Sequence, residues 1–252
     1  MSDIDKNIVL VALSTLTGAQ VKPHTELRAR GRGSGHVKEL TVENYLSTVF
    51  HVGPSGPVSF AGYSSAGRES FNEIFVNIDH FFDSRFDYDF RYGSDSTVLS
   101  RGGESYTRPW GWYRFALRVL NKYPDGNAWL GSGGWRSQSS YGEWPVSFHG
   151  TSIEGASGIT GSHYKPGGGQ TYGRGIYSSP NLSIADGYSK TFTYNNRTFK
   201  VIMQNRINPY NRVKTPQPDY WLIPVPAGTS PHVERNIVES AIRPYGILIK
   251  KI

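Results

Sequence analysis

The sequence feature that most restricts the fold is a series of short apolar segments between glycine- and proline-rich turns, running from Trp144 to the last residue. Short runs rich in β-branched and aromatic residues, bounded by such turns, are typical of β-strands. The predicted strands are WPVSFHG, RGIYSS, FKVIMQNRI, DYWLIPV and YGILIKKI. No linker long enough to separate two domains interrupts them. We therefore expect a β-rich unit at residues 105–252, with residues 1–104 forming either an N-terminal α/β extension packed on or next to it or a small second domain.

The N-terminal part of the chain contains patterns of both strands and helices. IVLVAL, at residues 8–13, is a continuous apolar run that predicts a buried strand, and the polar, basic TELRARGRGSGHVKE segment at residues 25–39 predicts a loop. FDYDFRY alternates aromatic and charged residues, which predicts a half-buried strand with its aromatic side inward. Apolar residues at helical spacing predict helices at TVENYLSTVF, at SFNEIFVNIDHFF and in the middle of RPWGWYRFALRVLNKYPDG. In the third helix, one face would carry Trp112, Phe115, Ala116 and Val119.

Composition and charge exclude several classes of site. The chain has no cysteine, which excludes disulfides, thiolate nucleophiles and cysteine-ligated zinc, and its histidines lack metal-ligand spacing, so we expect no metal. The glycine-rich GRGSG does not indicate a dinucleotide-binding motif, because no predicted strand precedes it. GYSSAG does not indicate a catalytic serine, because it lacks the Gly-x-Ser-x-Gly spacing of a nucleophile elbow. The net charge of +7 favours an anionic partner: a nucleic acid, an acidic protein surface or a phosphate-bearing cofactor.

The same patterns bear on location. IVLVAL is too short to span a bilayer, and Asp3 and Asp5 precede it where a signal peptide would carry basic residues. We expect a protein with no membrane association that acts in the cytoplasm, or as an effector delivered into the cytosol of a host cell.

Three motifs suggest a specific chemistry. FHGTS stands at residues 148–152, YGRGIYSSP at residues 172–180 and ADGY at residues 185–188. Their order and the eleven-residue step from Tyr177 to Tyr188 resemble the poly-ADP-ribose polymerase and diphtheria-toxin-like family of ADP-ribosyltransferases. The resemblance covers roughly residues 105–252. It implies an α+β, ADP-ribosyltransferase-like fold, with two packed, mainly antiparallel sheets and flanking helices around an NAD cleft.

The resemblance also implies roles for individual residues, with NAD+ as co-substrate. His149 would bond the adenosine-side ribose, the Gly150 backbone would hold the nicotinamide amide, and Tyr177 and Tyr188 would stack on the two faces of the nicotinamide ring. Further cofactor contacts are implied at Thr151, Ser152 and Gly175, with a mobile loop at residues 167–169. The family's serine two or three residues before the second tyrosine is displaced here, because Ser183 lies five residues before it.

Family members with full activity carry a glutamate that opens a late strand, grips a ribose hydroxyl and stabilises positive charge on the ribose. Three carboxylates are candidates for that position in this chain. Asp219 opens DYWLIP and is one methylene shorter than glutamate, Glu234 lies in HVERNIVES, and Glu239 precedes AIRPYG. We rank them in that order.

The function that the resemblance implies is mono-ADP-ribosyl transfer from NAD+ to a macromolecule, by a monomeric, effector-like enzyme. The expected acceptor is a protein side chain, for example a hydroxyl, with ubiquitin among the candidates; nucleic acid is the second choice. Two alternatives use the same cleft: a toxin that hydrolyses NAD+, and an inactive NAD-binding module. An RNA 2′-phosphotransferase needs more arginines in these motifs than Arg174 alone.

Overall fold

The computed structural model describes Asp5 and residues 7–29, 38–50, 73–132, 139–150 and 172–252. Its helices are α1 Asn7–Thr17, α2 His24–Ala29, α3 Val42–Phe50, α4 Ile78–Phe81, α5 Leu182–Gly187 and α6 Pro231–Ala241. Its strands are β1 Gln20–Pro23, β2 Glu39–Leu40, β3 Glu73–Val76, β4 Tyr88–Asp89, β5 Leu99–Arg101, β6 Glu104–Tyr106, β7 Tyr113–Ala116, β8 Val146–His149, β9 Gly175–Ser178, β10 Lys190–Tyr194, β11 Arg197–Ile207, β12 Val213–Lys214, β13 Trp221–Pro224 and β14 Ile242–Lys251. Within these ranges, no helix has the length and apolar character that crossing a membrane requires.

The main sheet is antiparallel and is built around the long β11–β14 pair. Its strand order is β10-β11-β14-β7-β4, and β8 also pairs with β11. Because β14 pairs along one edge of β11 from Phe199 to Ile207, strands β10 and β8 occupy successive parts of its other edge. This arrangement brings the end of β8 close to the start of β10.

A smaller antiparallel sheet, in the order β12-β13-β9, joins the main sheet through β8. The backbones of Phe148 and Ser179 exchange hydrogen bonds of 2.7 and 2.9 Å, so β8 contacts both sheets. Ile176 and Ile223 of the small sheet belong to the same hydrophobic core as Val201 and Met203 of the main sheet. The five strands predicted after Trp144 are confirmed.

The α+β class is confirmed, since helices accompany several antiparallel sheets. The third sheet, β1-β3-β2, is parallel, and β5 and β6 form a separate hairpin. The finer assignment, an ADP-ribosyltransferase-like fold around an NAD cleft, stays a prediction. So does the division at residues 104 and 105, although that boundary falls inside β6 and β4 pairs with β7 across it.

The prediction of a strand at residues 8–13 is wrong, because this segment belongs to helix α1. The helix buries nearly every side chain along the run, including Ile8, Val9, Ala12 and Leu13. A helix that is covered on most sides carries a continuous apolar sequence, which periodicity alone does not distinguish from a buried strand. Gly18, at a φ of 69°, follows the helix and turns the chain into β1.

Two further helix predictions need correction, because each of these segments contains a strand. In SFNEIFVNIDHFF, residues 73–76 form the central strand of the parallel sheet, and Asn77 then caps the short helix α4 by accepting a hydrogen bond from the His80 backbone. In RPWGWYRFALRVL, residues 113–116 form β7, which pairs with β14 and β4. Trp112 and Phe115 are buried in different clusters, on the two covered faces of the sheet, and this double burial imitates helical spacing.

Two smaller predictions need correction. Only residues 88 and 89 of FDYDFRY form a strand, and its aromatic residues do not share an inward side, because Phe90 is buried whereas Tyr88 and Tyr92 are exposed. The loop predicted at residues 25–39 is helical up to Ala29, and residues 30–37 lie outside the described part of the chain. The helix predicted at TVENYLSTVF is confirmed as α3.

Candidate functional site

His149 ends β8 at the junction of the two sheets. Its side chain is buried, and Nδ1 lies 2.5 Å from the backbone oxygen of Tyr177 on β9. A carbonyl oxygen only accepts hydrogen bonds, so Nδ1 carries the proton in the neutral ring and Nε2 presents a lone pair. Burial lowers the pKa of His149 from 6.5 to about 4, with the positive charge of Lys190 as a smaller cause. The imidazole is therefore neutral at physiological pH and accepts hydrogen bonds at Nε2.

Gly150 brings the backbone after β8 against the end of α5. A Cβ at this position would lie 2.3 Å from the Ala185 carbonyl oxygen and 2.6 Å from the Tyr188 carbonyl carbon. These atoms belong to backbone, which cannot yield as a flexible side chain can. Only glycine permits this approach, which places the Gly150 backbone next to Tyr188.

Tyr177 is fixed at the edge of the same junction by its phenol. The hydroxyl donates to the Gly173 carbonyl at 2.8 Å and accepts from the Tyr172 backbone N–H at 3.1 Å. Gly175, at the start of β9, packs so tightly that a Cβ there would lie 2.0 Å from the Ile223 carbonyl oxygen. The glycine thus allows β9 to pair closely with β13.

Tyr188 is the C-terminal cap of α5, and 48 % of its surface is exposed, so its ring is accessible. Its hydroxyl lies 3.4 Å from that of Tyr220, which directly precedes β13. This hydrogen bond is the main cause that raises the pKa of Tyr220 to about 12. Tyr220 is not among the residues predicted for the site, although its position after Asp219 in the acidic–aromatic run was an available signal.

Ser183 has a structural role at the start of α5. Its hydroxyl and its backbone N–H both donate to the Asn181 side-chain oxygen, at 2.9 and 3.0 Å. This is the hydrogen bonding of a helix N-cap, which accounts for a serine at this displaced position. The amide nitrogen of Asn181 points the other way and lies 3.4 Å from Asp219 Oδ1.

The three candidate carboxylates occupy different environments. Asp219 lies in the turn before β13, beside the start of α5. Glu234 is buried in the first turn of helix α6 and forms an ion pair with Arg174. Glu239, five residues further along α6, accepts a hydrogen bond of 2.8 Å from Arg235. Asp219 thus contacts the cap of the helix that ends at Tyr188, whereas both glutamates lie on α6 and are paired with arginines.

Lys190, at the start of β10, is a neighbour that sequence reasoning missed. It is paired with Val201 on the same edge of β11 where His149 is paired with Met203. Its Nζ donates to the Thr15 carbonyl at 3.0 Å, and burial lowers its pKa. No local pattern marks this lysine, because β11 alone brings it near His149.

The described residues therefore bring His149, Gly150, Tyr177 and Tyr188 to one junction, with Asp219 at its border. Thr151, Ser152 and the predicted loop at residues 167–169 lie outside the described part of the chain. Within the described ranges, no cluster of three or more histidine, aspartate or glutamate side chains is arranged to hold a metal ion. Comparison with models of known protein families and with curated proteins found no match to this sequence.

Proposed function

We propose that the chain is a mono-ADP-ribosyltransferase that moves ADP-ribose from NAD+ to a protein side chain and releases nicotinamide. The observation that carries the proposal is the junction of β8, β9 and α5. There a neutral, buried histidine is bonded to the strand of Tyr177, and Gly150 is pressed against the helix that ends at Tyr188. Motifs that lie up to forty residues apart in the chain thus share one small region.

Cleavage of NAD+ requires hydrogen-bond acceptors for the ribose and aromatic surfaces for the nicotinamide ring at this junction. When the bond between nicotinamide and ribose C1′ breaks, its electron pair leaves with nicotinamide and the ribose becomes an oxocarbenium-like cation. The Nε2 lone pair of His149 would accept a hydrogen bond from a ribose hydroxyl, and the tyrosine rings would stack on nicotinamide. A carboxylate near C1′ stabilises the cation, and we assign this role to Asp219. The acceptor nucleophile then attacks C1′ and loses its proton.

Asp219 is preferred over the glutamates for the role near C1′ because the carboxylates of the glutamates are already paired with arginines. Glu234 neutralises the partly buried Arg174, and removing it from that pair to serve a substrate would leave the arginine without its counter-ion. Within the described part of the chain, the Asp219 side chain has one hydrogen bond, a long one of 3.4 Å, and Asp219 directly precedes Tyr220, whose hydroxyl lies near that of Tyr188.

The test uses NAD+ labelled in the adenylate, a cell lysate as the source of acceptors, and assays of protein-bound label and free nicotinamide. We expect the unaltered chain to label a discrete protein, and His149→Gln and Asp219→Asn to lower the labelling rate at least a hundredfold. Glu239→Gln is the matched carboxylate control and should label normally. Nicotinamide release without label would replace the proposal by NAD+ hydrolysis, and NAD+ binding with neither product would replace it by a binding module.

A further inference from the structure

A cavity of about 440 Å³ is lined by residues other than those of the junction described above. Val146 lines it, three residues before His149 on the same strand, and strand alternation directs these two side chains to opposite faces of the main sheet. None of the candidate site residues in the described ranges lines this cavity. Its volume falls within the range of roughly 300–1,000 Å³ that is usual for small-molecule sites.

The walls of this cavity are rich in arginine. Among the residues that the structure describes, five arginines line it: Arg85, Arg101, Arg108, Arg114 and Arg206. Asp87 is the one acidic residue of this described lining, and its Oδ1 accepts a hydrogen bond of 2.7 Å from the Ala116 backbone. Four of the arginines contact carboxylates at the following distances: Arg85–Asp83 2.7 Å, Arg108–Asp95 3.0 Å, Arg101–Glu143 3.6 Å and Arg206–Glu143 3.1 Å. These pairs hold the guanidinium groups in place around the cavity.

Arg114 differs from the other four. No carboxylate of the described residues lies within 4.0 Å of its guanidinium nitrogens; instead, these donate to the Phe86 carbonyl at 2.9 Å and the Gln204 side-chain oxygen at 3.5 Å. Its Nε is buried without a hydrogen-bond partner in the described part of the chain. A partly buried cation without a counter-ion is costly, and an anion in the cavity would offset that cost.

Aromatic rings stand beside this cation. The guanidinium of Arg114 lies 5.7 Å from the ring centre of Phe90 and 5.6 Å from that of Tyr245, and both rings line the cavity. Tyr88, also in the lining, packs on Phe90 with ring centres 4.2 Å apart and is 48 % exposed. Arginine forks bind phosphate oxygens, and aromatic and guanidinium planes stack on nucleobases.

We propose that this cavity is a binding site for a nucleotide. Its phosphate would bond to Arg114, with Arg108 at the rim, and its base would lie against the aromatic wall that Tyr88 and Phe90 form. The site is separate from the NAD+ cleft and does not depend on the proposed transferase activity.

The test measures the affinity of ADP by titration calorimetry for the unaltered chain and for Arg114→Gln. Loss of a charged hydrogen bond to phosphate weakens binding by a factor of about ten or more, and we expect that loss in Arg114→Gln. Arg197→Gln, at an exposed arginine of strand β11, is the matched control and should bind ADP normally. Because Arg114 is partly buried, Arg108→Gln serves as a second variant at a more exposed position and should also weaken ADP binding.

Two further measurements identify the ligand and the place where it binds. His149→Gln should retain the ADP site, and inorganic phosphate should bind much more weakly than ADP. If His149→Gln abolishes ADP binding and Arg114→Gln preserves it, the nucleotide binds in the proposed NAD+ cleft. That result would overturn the inference and leave the proposed function intact. Equal affinities for phosphate and ADP, or no ADP binding at all, would also overturn it.

Discussion

The neutral, buried state of His149 predicts a specific loss of stability in mild acid. The pKa of His149 is about 4 in the folded chain and 6.5 in the reference state, so between these values the unfolded chain binds more protons than the folded one. Stability must then fall as the pH decreases through this window. With about 1.4 kcal/mol for each pKa unit, the full effect is about 3 kcal/mol below pH 4, of which about 2 kcal/mol is lost by pH 5.

The variant His149→Gln removes this titration and keeps a side chain that can donate to the Tyr177 carbonyl. Urea unfolding followed by tryptophan fluorescence would give the free energy of unfolding at about pH 7.5 and about pH 5 for both chains. Groups other than His149 contribute equally to the two chains, so their effects cancel in the comparison. We expect the free energy of the unaltered chain to fall by about 2 kcal/mol more than that of the variant.

An equal pH dependence of stability in the two chains would contradict this prediction. If both chains lose the same free energy between these pH values, His149 titrates normally in the folded chain, and the argument for a neutral Nε2 acceptor fails. A larger loss in His149→Gln would mean that the folded chain stabilises the protonated imidazole.

Two further variants test the packing around the site. Gly150→Ala would place Cβ against the Ala185 carbonyl and should lower the free energy of unfolding by about 1–3 kcal/mol. Gly187→Ala is the control and should not lower it, because a Cβ there meets nothing within 4 Å. Equal losses in the two variants would show that α5 shifts to accommodate the added Cβ. Glu234→Gln should cost about 1–3 kcal/mol, because it removes the negative charge from a buried ion pair with Arg174. Glu239→Gln, on the same helix but in a more exposed pair, should cost less than about 1 kcal/mol. Thermal unfolding of both variants measures the difference, and equal losses would show that the two pairs are equivalent.

The strands after Trp144 could be predicted because each carries its own signal. β8, β9, β11, β13 and β14 are runs of β-branched and aromatic residues between turns, and the structure has strands at all of them. The candidate site was predictable in part for a similar reason. His149, Gly150 and Tyr177 stand in short motifs, and their meeting requires only that β8 and β9 become neighbours.

The errors in the N-terminal half have a common cause. α1 is buried on most sides, so its sequence is a continuous apolar run, and the segment around β7 is buried on both faces of the sheet, so its apolar residues fall at a spacing that resembles that of a helix. For β7, pairing with β14 decides the outcome, and β14 lies more than 120 residues further along the chain. Local pattern contains no information about such a partner.

The sequence by itself determined the C-terminal strands and the motif residues around His149, because these depend on residue type and order along a short stretch of chain, whereas the α+β class was implied by the resemblance that those motifs carry. Only the tertiary structure decided which carboxylate lies near the site, since the burial of Glu234 against Arg174 and the position of Asp219 beside Asn181 depend on contacts over tens of residues. It alone also gathered arginines from positions 85 to 206 around one cavity. Side chains that are far apart in sequence meet only when the sheet sets their register, and that register is a property of the whole fold.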